Sequence, residues 1–174
     1  MSSTPTPATP PATADRDWIA SEFPKGIDAE RELLEEAKTR AQSPPDPSLG
    51  VLYHEIAESE ERHLVVVETI ATRYGYTPTH GIGGGIGGAI GRLKDKVSSL
   101  GSSPLQWVGH DLTGKSNAIH WTTAWVGAFE GIGDATSARE LAAVLAEEIA
   151  HREALQLALN QLVLRGAQGH LNKK

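Results

Sequence analysis

Two short strings carry the residues that could do chemistry. "EERH" at 60–63 and "EIAH" at 148–151 each place a glutamate three positions ahead of a histidine. On a helix, residues three apart are surface neighbours, so the carboxylate and the imidazole can reach a single ion. Both strings interrupt apolar stripes. Leu52, Ile56, Glu60, His63, Val67, Ile70 and Tyr74 follow one another in threes and fours, as do Leu141, Val144, Glu148, His151, Leu155, Leu159 and Leu162. An ionised carboxylate buried without a partner is very unfavourable, and no Lys or Arg falls on these two seams opposite the pairs. A divalent metal is then the expected compensation. The chain has no cysteine, which excludes a disulfide framework, a zinc ribbon and a thiol nucleophile, and leaves histidines and carboxylates as the strong ligands.

Helices must position these groups. The spacing predicts a first helix from about Asp28, acting as its cap, through "AERELLEEAKTRAQ" to the stop at "SPPDPSLG". Ile27, Glu30, Leu34, Ala37 and Ala41 form its stripe, with Glu30 the one acidic member. The second helix runs from about Ser48 to Tyr74 and carries Glu60 and His63. Ser103 and Pro104 open a third, reaching about Gly131 and weakened at "TGKS". Trp121 and Trp125 stand one turn apart on it and read as packing residues. After "GDAT", Ser137 and Glu140 form a capping box for a fourth helix, which holds Glu148 and His151 and ends near Gly166. Helices rise about 1.5 Å per residue, so residues equally far from a connecting loop stand at equal height. The first connection centres near residue 46, which sets Glu60 and His63 opposite residues about 32 and 29. Glu30 falls between them.

The remainder of the 174 residues narrows the function class. The first sixteen, rich in Pro, Thr, Ser and Ala, read as a disordered tail and not as a secretion signal, since they lack an apolar stretch and a basic start. The formal charge is −6, with basic residues scattered among acidic ones, against a nucleic-acid partner. No run reaches the roughly 18 apolar residues of a membrane span, and the cytoplasm is the default location. "HGIGGGIGGAIGRLKDKVSSLGSS", residues 80–103, is expected to be a long crossover with a short amphipathic helix around "AIGRLKDKVSSL". Its glycines lack the Gly-Lys-Ser/Thr that follows in a phosphate-binding loop.

A Glu on the first helix, a Glu-x-x-His on the second, a long crossover, a third helix and a second Glu-x-x-His on the fourth resemble the ferritin-like superfamily, especially its rubrerythrin-type di-iron and di-manganese carboxylate proteins. The resemblance spans residues 27 to 166. It implies an all-α, ferritin-like antiparallel four-helix bundle over residues 18–168, with tails at 1–17 and 169–174 and a Gly-rich crossover between the second and third helices. It further implies dinuclear iron or manganese held by Glu30, Glu60, His63, Glu148 and His151, with Glu60 and Glu148 bridging as the catalytic carboxylates.

The third helix departs from that pattern: at the expected height, residues 118–121, the chain has no glutamate, and Glu130 lies too near the loop. His120 is the nearest candidate ligand there, and Asn117 a poorer one. This leaves three alternatives open: an asymmetric centre, His120 in place of a carboxylate, or a single ion. The implied activity is metal-dependent redox chemistry on peroxide or oxygen, or oxidation of Fe(II). Lacking a cysteine-ligated iron centre, the chain would need an external electron donor, and the resemblance implies a homodimer or larger homo-oligomer. A helical interaction or stress-associated module without a catalytic metal is the alternative.

Overall fold

A computed structural model describes residues 13–77 and 103–171, which are helical with no strand among them. Five helices follow in order: α1 (Thr13–Glu22), α2 (Ile27–Gln42), α3 (Gly50–Arg73), α4 (Pro104–Gly131) and α5 (Ala135–Leu171). The last four are long and amphipathic. Short connections join α2 to α3 and α4 to α5, and within each pair the helices pack along one another as an antiparallel hairpin, the two hairpins meeting through α3 and α5. No described helix is long and apolar enough to cross a membrane.

Helix ends follow local chemistry, with several corrections to the sequence reading. α2 starts at Ile27 behind Gly26 and not at an Asp28 cap; Asp28 pairs instead with Arg31 at 3.3 Å. Only glycine fits at position 26, because a Cβ there would lie 2.2 Å from the Trp121 ring. α4 begins at Pro104 as expected, its first turn closed on the Ser103 carbonyl. It is continuous through "TGKS". α5 starts two residues before the expected capping box: Asp134 Oδ1 accepts from the Ser137 amide at 3.1 Å, while Glu140 turns outward to Arg73 at 2.6 and 2.7 Å. Gly75 and Gly133, with φ of +96° and +80°, end α3 and α4 in the left-handed conformation that glycine adopts without strain. Gly166, by contrast, does not stop α5, which continues to Leu171. α1 begins at Thr13, inside the segment expected to be a tail, and Ile19 and the following Phe23 enter the core. The Gly-rich crossover lies, but for Ser103, outside the described residues.

The core is stratified. One end holds Ile19, Phe23, Ile27, Val67, Ile70, Phe129 and Leu141; the other holds Ala37, Tyr53, Ile56, Val108, Leu155 and Leu162. Between these apolar ends every long helix contributes a buried polar residue: Glu30 from α2, Glu60 and His63 from α3, Lys115 from α4 and Glu148 from α5. The centres of the expected seams of α2, α3 and α5 are buried, while Ala41, Leu52, Tyr74, His151 and Leu159 on them are only partly so. Trp121 and Trp125 pack against Phe23 at 5.2 and 4.9 Å between ring centres, in the packing role their spacing suggests.

Candidate functional site

The polar layer centres on Glu60, His63 and Glu148, one donor atom from each lying within 4.8 Å of the others. His63 Nδ1 is 2.9 Å from Glu148 Oε1 and 3.9 Å from Glu60 Oε2. Its Nε2 faces outward, 3.0 Å from Ser59 Oγ and 3.3 Å from Glu147 Oε2. Ser59 donates to Glu147 at 2.5 Å, and Arg62 donates to the same carboxylate oxygen at 2.9 Å. Both imidazole nitrogens are thus placed by partners, which fixes the ring in the layer.

Lys115 supplies the cation that the two seams were expected to lack. Its ammonium is buried, donates to Glu60 Oε1, and lies 3.1 and 3.0 Å from the two oxygens of Glu148. The two carboxylates expected to bridge a metal pair are therefore joined by a lysine. The connection centres on Gly133, so Lys115, just outside the expected 118–121, is level with His151. Its signal was in the sequence: Val108, Lys115, Ala118, Thr122, Trp125 and Phe129 share the buried face of α4. Its place in "TGKS", a stretch expected to weaken the helix, concealed it. His120 does not join the site. It is exposed, as are Asn117 and Glu130.

Glu30 and His151 flank the centre. Glu30 is buried, and its carboxyl is pushed up to about 7 by burial and then by the nearby Glu148 charge. His151 is partly buried and is held below the usual histidine range by burial and by Lys115. Burial raises the Glu148 carboxyl, but the His63 hydrogen bond and the Lys115 ammonium outweigh it, and the group lies below the usual carboxylate range. Burial also lowers the Lys115 ammonium, against the pull of Glu148. At the margin, the Ser59 hydrogen bond outweighs burial and, with Arg62 aiding, brings Glu147 down to about 2.

Several buried polar atoms lack a hydrogen-bond partner among the described residues: Glu30 Oε2, Glu60 Oε2, Thr122 Oγ1 and His151 Nδ1. Glu148 Oε2 faces the ammonium at 3.0 Å without an aligned bond. Buried polar groups are nearly always satisfied, and carboxylate oxygens with an imidazole nitrogen are ligands for a divalent cation. A second group, Glu36, His110 and Asp111, lies nearby, but its Asp111 is already bound by Arg40 and Tyr53. No family model, no characterised protein and no solved structure matches this chain.

Proposed function

We propose that the layer binds iron or manganese and that the chain is a ferritin-like, metal-dependent redox protein acting on peroxide or oxygen, or oxidising Fe(II). The observation that carries this reading is the set of unpartnered potential ligand atoms on Glu30, Glu60 and His151 in one buried layer. Charge refines it. Glu30, Glu60 and Glu148 with Lys115 set three carboxylates against one ammonium, and one divalent ion would neutralise the remainder. The resemblance implies two ions; Lys115 favours one, its ammonium standing between the carboxylates that would otherwise bridge.

Iron or manganese, when bound, would supply the electron transfer. The protein's own groups have separate tasks. Ser59 and Glu147 orient His63, Lys115 holds positive charge between Glu60 and Glu148, and the apolar layers above and below exclude bulk water. An external electron donor and assembly as a homodimer or larger homo-oligomer belong to the same proposal. The test is peroxide reduction by iron- or manganese-loaded protein with an artificial electron donor. Turnover should be abolished by Glu60→Gln; turnover that the variant retains in full contradicts the reading.

The Lys115 ion pairs favour a second reading, a metal-free helical interaction module in which the lysine is the whole of the compensation. Such a protein would take up neither metal in a specific site, and its Glu60 and His151 variants would alter stability alone.

A further inference from the structure

Solvated helix faces are ordinarily charged, and the outer side of α3 is: His54, Glu55, Glu58, Glu61 and Arg62 are exposed there. α5 differs. Its inward seam carries Leu141, Val144, Leu155 and Leu162, yet its opposite side is apolar as well. Ala142, Ala143, Ala146, Ile149, Ala150 and Leu157 are all exposed, Leu157 by 59%. They recur with the three-and-four spacing of a seam that packs against another helix. A helix apolar on two opposite sides is built to be covered on both, and the described residues cover one.

Charge and symmetry name the second partner. Arg139 stands seven residues before Ala146 and Glu153 seven after it, two turns in each direction, so the three share a face. Both charged side chains are exposed, and neither has an ion pair or hydrogen bond among the described residues. A second α5 laid antiparallel across the first, with Ala146 on the two-fold axis, sets each Arg139 against the partner's Glu153. The same register sets Ala142 against the partner's Ala150 and Ala143 against the partner's Ile149. Leu157 and Ala135 stand equally far from the axis on its two sides, so each Leu157 lies over the partner's Ala135. Alanine at the crossing lets the helix axes approach to about 8 Å. Centring the axis near Glu153 instead would oppose the two glutamates, a contact that like charges disfavour.

We infer that the outer face of α5, from Arg139 to Leu157, is the contact surface of an antiparallel two-fold homodimer of this chain, set in register by two Arg139–Glu153 ion pairs. The homodimer belongs to the redox reading above; its surface rests on α5 alone and calls on no bound metal. The strip from Ala135 to Leu157 is about 33 Å long and one helix wide. Val65 of α3, 59% exposed, widens it, since the Arg62–Glu147 and Arg73–Glu140 pairs set Val65 near the level of Ala146. A contact of this kind is smaller than the roughly 800 Å² per partner of a standard interface, so the association is reversible and depends on concentration.

The experiment is sedimentation velocity on the full chain over a range of concentrations, with and without prior chelation of metal. The expected result is a monomer–dimer equilibrium that is the same in both samples. Ala146→Glu, at an exposed helical position, should abolish the dimer while circular dichroism shows unchanged helix content. Arg139→Glu and Glu153→Arg should each weaken the dimer by about tenfold or more. The two changes combined should restore it, because the reversed charges meet again across the axis. A chain that is monomeric at every concentration overturns the inference, as does a dimer that chelation removes. So does a dimer that Ala146→Glu leaves intact, or a combined variant no tighter than either single one. Failure of the redox reading shows separately, as absence of metal uptake by a chain that still dimerises.

Discussion

A carboxyl group held in an apolar interior keeps its proton to higher pH, and Glu30 is so placed. Its folded value of about 7 lies above the ordinary 4.5, so between those values the folded chain holds a proton that the unfolded chain has released. Stability is therefore full below about pH 4.5 and is lost as pH rises toward 7, by on the order of 3 kcal/mol. In chelator-treated protein, Glu30→Gln should be more stable than the parent at pH 8 by about 1–3 kcal/mol and nearly equal to it at pH 4. Urea denaturation at the two pH values measures this, and an identical difference at both would contradict it. Lys115 answers the same electrostatic question with opposite sign. Lys115→Met leaves Glu60 and Glu148 buried without their cation, and the metal-free variant should lose about 3–5 kcal/mol. Added Mn(II) or Fe(II) should raise the melting temperature of the variant more than that of the parent. An equal rise in the two would mean that the ammonium and the metal do not share the same carboxylates.

Among the elements, those with an unbroken seam were the most legible. α3 and α5 alternate apolar residues in threes and fours on both sides of their Glu-x-x-His, and most of those residues are buried, while Leu52, Tyr74 and Leu159 are only partly so. The height of Glu30 followed from the connection between α2 and α3. α4 was harder to read because its buried face contains Lys115 and Thr122, which look like interruptions when the neighbouring carboxylates are unseen. A lysine is read as solvated until two helices are known to aim carboxylates at it. His120, chosen by height alone, failed because height fixes a level and not a direction around the helix. Local end signals were equally ambiguous: Ser137 and Glu140 have the spacing of a capping box, yet Asp134 caps and Glu140 serves Arg73. The junction of α1 and α2 yields its own prediction. Gly26→Ala drives a methyl into the Trp121 ring, which is held against Phe23 and Trp125. The ring has little freedom to move away, so the variant should lose about 1–3 kcal/mol, measured as a lower urea midpoint with unchanged slope. A midpoint equal to the parent's would show that the aromatic cluster yields without cost.

At the scale of the whole molecule, a polar layer lies between two apolar ends, and it ties one hairpin to the other. Glu60 of the α2–α3 hairpin and Glu148 of the α4–α5 hairpin meet on one lysine. Such a layer adds little net stability by itself, since the desolvation of its charges offsets their attraction. On the proposed reading, a bound cation would satisfy its unpartnered oxygens and nitrogen, and a single divalent one would balance the charge left beside Lys115. Metal content tests that claim most directly. Purified protein is reconstituted with Fe(II) and Mn(II), cleared of loosely held ions and analysed for its elements beside Glu148→Gln and His63→Ala. The account predicts about one ion per chain in the parent and near none in either variant. No metal in the parent, two ions per chain, or full retention in the variants would contradict it.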